Sequence, residues 1–322
     1  MAGSTILVAG GFDAADPGHD AVIQACAGAL PGFVLTVASS DPLTTSARHG
    51  VRSVDRADRT EVARVATRAD ALVIAGTPVF AARPGDRSGV QRLSRATAMA
   101  LTVAARGNPV ALLGVGGAPL PGRIAPALAR QLVRQADLLV LRDHATARAL
   151  AATGATAPFR VGADPAWAVF GDAAGGPQVA GDSVMVVVSA ASFGASVAAP
   201  LAAALDAVMA AGLEVRLMPW RTGPVGTADR ELCRRIAERV GWRTVVVPAE
   251  HGLDGVRHAI AGARAAVVMP YHAAIAAAAA GVPCVTFGGR PATPALGHPL
   301  AWRSVSMTSD PARIGSSIIR QA

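Results

Sequence analysis

The chain has 322 residues, more than a single comfortable core, so its length predicts about two domains. Alanine supplies much of the 52% hydrophobic fraction, and aromatic residues are only 4%, too few for a base-stacking nucleic-acid platform. The net charge is +8, and all 30 basic residues are arginines spread over helical stretches, as on solvated helix faces; a nucleic-acid partner is not expected.

The opening residues, Met1 to Gly11, have no basic leader and only a short apolar run, which predicts a first strand rather than a signal peptide. Short aliphatic runs then alternate with segments of helical period, the signature of parallel sheets covered on both faces. In the first half the runs predict strands near Thr5–Ala9, Phe33–Ala38, Ala71–Ala75, Val110–Gly114 and Leu138–Leu141. Helices fit Asp20–Leu30, Asp58–Arg68, Gly89–Arg106, Gly122–Gln135 and Asp143–Thr153. Several strands end in glycine, where ligands of open α/β sheets bind. After a linker-like stretch at 171–182 the rhythm restarts, with strands at Val184–Ser189, Glu214–Met218, Thr244–Val247, Ala265–Met269 and Cys284–Phe287. Helices fit Ala195–Ala211, Ala228–Val240, Leu253–Ala261 and Tyr271–Ala280, and Ser309-Asp310-Pro311 reads as the cap and first turn of a last helix reaching Ile319. The expected domains are 1–170 and 183–308, with a closing helix in 309–322. The expected fold is α/β, two Rossmann-like domains facing each other across a cleft.

Cys26, Cys233 and Cys284 form no C-x-x-C, which argues against a disulfide framework or a cysteine zinc site and suits a reducing cytoplasm. The alanine-rich stretch from Ala259 to Phe287 is broken by Arg264, Pro270 and His272, so it is not one membrane-spanning helix.

The densest signal for chemistry lies between Asp254 and Gly289. A helix ends, a buried strand follows, and Pro270-Tyr271-His272 opens a small-residue helix closed by Gly281-Val282-Pro283. His272 is thereby placed in a first helical turn at the carboxyl edge of a sheet, where backbone amides favour anions and an imidazole can exchange a proton. The alternative is a histidine held in packing. Arg142-Asp143 directly follows a strand; Asp143 is placed to cap the next helix, and Arg142 either turns its fork to a carboxylate or phosphate or pairs with Asp143. Asp164-Pro165 reads as a turn and Trp167 as packing, and Asp20 is a candidate N-cap. No metal-ligand spacing stands out.

Four segments, in order along nearly the whole chain, resemble the polysaccharide pyruvyl transferase family: Gly18-His19-Asp20-Ala21-Val22-Ile23; Ala136 to Asp143; Ala163-Asp164-Pro165; and Val268 to Ala276 with Ala279 to Pro283. The last is the most specific. The resemblance implies a GT-B-like fold and transfer of pyruvate from phosphoenolpyruvate to a sugar hydroxyl of a cell-envelope glycan or lipid-linked saccharide, forming a ketal. It implies no cofactor. His272 matches the family's active-site histidine and Arg142 its phosphoenolpyruvate-binding arginine, with Asp20, Tyr271 and Gly76 as substrate-binding candidates. Where the family carries an arginine this chain has Pro270, and Tyr271 replaces a leucine; Arg290 is a candidate substitute cation. These departures keep open a GT-B glycosyltransferase using a nucleotide sugar, and a non-catalytic glycan-binding relative. Peripheral membrane contact through a basic face is compatible with either substrate.

Overall fold

The computed structural model describes residues 3–13, 15–81, 87–171, 181–193, 195–247, 252–287, 302–305 and 310–322. They fall into two compact units. The first holds residues 3–13 and His19–Ala166; the second holds Ala15–Gly18 together with residues from Trp167 onward. A four-residue piece of the first strand's loop thus packs with the second unit.

In chain order the first unit is built from β1 (Thr5–Ala9), α1 (Pro17–Ala29), β2 (Val34–Ser39), α2 (Pro42–His49), β3 (Arg52–Asp55), α3 (Arg59–Ala66), β4 (Ala71–Ala75), α4 (Arg87–Ala104), β5 (Val110–Val115), α5 (Ile124–Arg134), β6 (Leu138–Leu141), α6 (His144–Ala151) and β7 (Arg160–Val161). These strands form one parallel sheet in the order β3-β2-β1-β4-β5-β6-β7. The order reverses between β1 and β4, which opens the crevice where Rossmann-like folds take ligands. Strands covered on both faces must be apolar throughout, and residues 6–9 of β1 and 72–75 of β4 are all buried. The edge strands β3 and β7 are short and carry arginines, which blunts further pairing.

Helix α2 and strand β3 were not expected from periodicity. Only Thr45 of α2 is buried, so the helix has almost no apolar stripe. Its ends, however, are well marked: the Asp41 side chain accepts from Thr44 N, Pro42 opens the first turn, and Gly50 closes it at φ 64°.

The second unit is built from α7 (Ala166–Gly171), β8 (Ser183–Val188), α8 (Ala190–Phe193), α9 (Ala198–Ala210), β9 (Glu214–Pro219), α10 (Thr227–Arg239), β10 (Val245–Val246), α11 (Gly252–Ala261), β11 (Ala265–Val268), α12 (Tyr271–Ala279), β12 (Cys284–Phe287), β13 (Trp302–Val305) and α13 (Pro311–Ile319). Its parallel sheet runs β10-β9-β8-β11-β12-β13, reversing between β8 and β11. Every residue of β8, β11 and β12 is buried. Asp310 caps α13 by accepting from Ala312 N, and Ile314 and Ile318 bury themselves in the core of this unit. Gly315 is where α13 approaches α9: a Cβ there would press on the Ala204 carbonyl.

The three cysteines are free and buried, and burial pushes the thiols of Cys26 and Cys284 up to about 12 and that of Cys233 higher still. As thiols they are small apolar fillers rather than nucleophiles. Among the described residues no helix is long and apolar enough to cross a membrane.

Asp229 ties together the loops that leave β8 and β9. Its carboxylate accepts from Ala190 N (2.7 Å) and Arg221 N (2.9 Å) and is buried. Burial raises its pKa, opposed by those two hydrogen bonds and by the Arg221 charge. A carboxyl whose folded pKa is raised loses stability as pH climbs from the unfolded value through the folded one, and regains it on acidification. Asp229→Asn turns one acceptor oxygen into a donor facing a backbone N–H and is expected to cost about 1–3 kcal/mol at neutral pH. The deficit relative to wild type should widen toward pH 4, because only the wild type gains from protonation. Thermal melts of both proteins from pH 4 to 8 check this; a gap that narrows on acidification contradicts it.

Candidate functional site

In the second unit the site grows from the end of β11. Pro270 is extended (φ −79°, ψ 146°) and leads straight into α12, whose residues from His272 to Ala278 are all buried. Their small side chains let the helix sit deep against its sheet, at the strand next to the reversal point. His272 falls in the first turn, 8% exposed, with Tyr271 edge-on to it at a ring-centroid distance of 5.4 Å. The first-turn backbone N–H groups of α12 lie beside it and favour negative charge.

The floor under His272 is the Ala15–Gly18 segment. Gly18 lies flat against the imidazole, so close that any Cβ would overlap Cγ, Nδ1 and Cβ of His272. Here glycine is required by approach rather than by torsion. Two contacts fasten the segment: Thr222 N donates to the Ala15 carbonyl (3.0 Å), and Trp220 Nε1 donates to Asp16 Oδ1 (2.9 Å). The same Asp16 oxygen accepts from Gly18 N (2.9 Å). A carboxylate oxygen of Asp16 is within 4.8 Å of a ring nitrogen of His272.

In the first unit the carboxyl ends of β4, β5 and β6 carry Gly76, Gly116 and Arg142. The guanidinium of Arg142 lies directly over Gly116, where a Cβ would strike Nε and Cζ. Both expected readings of this pair are present in part: Arg142 Nε is 3.4 Å from Asp143 Oδ2, and Asp143 caps α6 by accepting from Thr146 N (2.6 Å). The side chain of Arg142 is 15% exposed.

Asp20 stands in the first turn of α1, which Pro17 begins, and not at the cap. Its buried carboxylate pairs with Arg48 and is 2.9 Å from His49 Nε2, so it holds α2 against α1. Gly76 takes φ 56° and faces Val22 and Asp164, a position where a side chain meets strain and overlap together. Asp164 is buried and accepts from Ala166 N (3.1 Å), the expected turn. Arg290 lies outside the described residues. Of the sequence candidates, His272 and Tyr271 therefore come together in the second unit, and Gly76 and Arg142 line one sheet edge in the first. Asp16 and Trp220 escaped notice, since their hydrogen bond joins residues 204 positions apart.

A family model for polysaccharide pyruvyl transferase matches residues 19–290, most of the chain. The protein belongs to the polysaccharide pyruvyl transferase family. No curated protein is matched by the sequence. Solved structures similar to this pyruvyl transferase family member are GT-B enzymes, so its two Rossmann-like units have the GT-B fold. UDP-GlcNAc 2-epimerase of Methanocaldococcus jannaschii, in complex with UDP-GlcNAc and UDP, is 10% identical with a TM-score of 0.64, covering 99% of this chain and 92% of its own. Anabaena HepE in complex with UDP-glucose is 12% identical (TM-score 0.60; 98% and 89% covered). E. coli heptosyltransferase WaaC with ADP-2-deoxy-2-fluoro heptose is 16% identical (TM-score 0.51; 99% and 100% covered). At such identities the likeness is one of fold. In this member His272 stands in the first turn of α12, Arg142 directly follows β6, and Pro270 lies between β11 and α12.

Proposed function

We propose that the protein transfers pyruvate from phosphoenolpyruvate to two hydroxyls of one sugar in a cell-envelope glycan or lipid-linked saccharide, acting in the cytoplasm without a cofactor. The observation that carries this reading is a buried histidine in the first turn of α12, in a chain that belongs to the pyruvyl transferase family. The reaction needs an acid. A proton goes to the methylene carbon of phosphoenolpyruvate, and a sugar hydroxyl bonds to the central carbon, losing its own proton. The phosphate then leaves with its C–O bonding pair, and a second hydroxyl closes the ketal, releasing another proton. His272 delivers the first proton from its place in the first turn of α12. Arg142 binds the donor's phosphate or carboxylate through its planar fork.

The test is release of inorganic phosphate from phosphoenolpyruvate in the presence of saccharide acceptors, with mass spectrometry for a ketal product 70 Da heavier than the acceptor, roughly the mass of pyruvate less water. Absence of both products across a broad acceptor panel defeats the reading. A nucleotide-sugar donor is the second reading, favoured by the UDP- and ADP-sugar ligands of the structural neighbours. It is distinguished by thermal stabilisation: a bound donor raises the melting temperature by mass action. Stabilisation by UDP or ADP, and none by phosphoenolpyruvate, selects the nucleotide sugar; stabilisation by neither, with glycan binding retained, selects a non-catalytic relative.

A further inference from the structure

We infer that Asp16 is the positioning residue of His272: a carboxylate delivered from the loop after β1 that orients the imidazole and holds its proton. This rests on the reading of His272 as the acid, and extends it to a residue outside the family-matched region, which begins at position 19.

Three observations converge on Asp16. It is buried, yet it is an acid, so its retention there calls for compensation. The compensation is two donors on one oxygen, Trp220 Nε1 and Gly18 N, each at 2.9 Å. These fix Oδ1 and thereby fix the direction of the whole carboxylate. Trp220 is itself 1% exposed and locked into the second unit, so its N–H is a rigid anchor. Finally, a ring nitrogen of His272 falls within 4.8 Å of an Asp16 oxygen, and the ring is pressed onto Gly18, two residues along the same anchored segment.

The consequences are electrostatic and geometric. An opposite charge within about 4–6 Å favours the charged form of an ionisable group, here the imidazolium that donates the proton. The flat contact with Gly18 meanwhile removes freedom from the ring, so the proton is presented along one line. Tyr271 also flanks the ring, Asp229 is close enough to Asp16 for their charges to repel, and His19 brings a second imidazole nitrogen within 4.8 Å of the same Asp16 and His272 atoms. Of these, Asp16 supplies the countercharge and Tyr271 the edge.

The experiment uses the full chain labelled with 13C,15N-histidine, His272 being assigned by its absence in His272→Gln. Proton-detected titration of the His272 ring is compared among wild type, Asp16→Asn, Asp16→Glu and Trp220→Phe. Asp16→Asn should lower the titration midpoint by about one pH unit. Trp220→Phe, which frees the carboxylate without removing it, should give a smaller drop, and Asp16→Glu should keep most of the wild-type value. In the phosphoenolpyruvate assay, Asp16→Asn should lower kcat about 10- to 100-fold with KM for the donor little changed. An unmoved midpoint in Asp16→Asn overturns the inference whatever happens to kcat. If Asp16→Asn fails to fold, Trp220→Phe decides by the same rule. A midpoint that drops in a protein whose wild type releases no phosphate leaves the pair standing and sinks only the donor assignment.

Discussion

Replacing His272 by glutamine is expected to lower kcat for phosphate release from phosphoenolpyruvate by about 10²- to 10⁴-fold, the range for losing one general acid. Glutamine roughly preserves the volume in the first turn of α12 and can still donate a hydrogen bond, but it has no proton to give to carbon. At 1.36 kcal/mol per tenfold, the loss amounts to about 3–5 kcal/mol of transition-state stabilisation. Because His272 is buried against Gly18, alanine would leave a void and confuse chemistry with packing; glutamine avoids that. Steady-state phosphate release at saturating donor, with a melting curve to show that the fold is intact, makes the measurement. Equal kcat in wild type and His272→Gln would remove His272 from the reaction while leaving the family assignment untouched.

Arg142→Lys should act at a different stage. The charge survives, but the planar two-pronged donor does not, and hydrogen bonds to charged groups contribute about 1.5–3 kcal/mol each. Losing one such bond to the donor predicts a fall in kcat/KM of about 10- to 150-fold, expressed mainly as a higher KM for phosphoenolpyruvate. Gly116→Ala offers an independent probe, since its methyl would push the guanidinium aside without touching its charge. Initial rates over a range of phosphoenolpyruvate concentrations separate the outcomes. If Arg142 serves only to pair with Asp143, lysine will preserve both constants and Gly116→Ala will affect stability alone.

The two doubly covered sheets were legible because parallel strands buried on both faces must be continuously aliphatic, as β8 and β11 are. The start of α12 was legible for a related reason: Pro270 and Gly281 bracket a run of small residues directly after a buried strand. Elements without a buried stripe left no such trace. Helix α2 hides a single threonine, and only its caps announce it. Edge strand β7 has two residues, too short for any period. At the site, sequence placed His272 and Arg142 at strand ends but misplaced Asp20, whose partners Arg48 and His49 sit on the unforeseen α2. Asp16 was beyond reach: its importance lies in a tryptophan 204 residues along the chain, and nothing local distinguishes it from any Asp-Pro-Gly turn.

The placement of α13 bears on how the protein is made. Ile314 and Ile318 complete a core whose central strand, β8, begins at Ser183 and is apolar from Val184 to Val188. During synthesis at roughly 5–20 residues per second, about 7–27 s separate the emergence of that strand from that of the helix that seals it. Throughout this interval the Val184-Met185-Val186-Val187-Val188 stretch is a sticky ribbon in need of shelter, while the first unit already has its complete sheet. Chaperone demand should therefore be concentrated in the second half of translation.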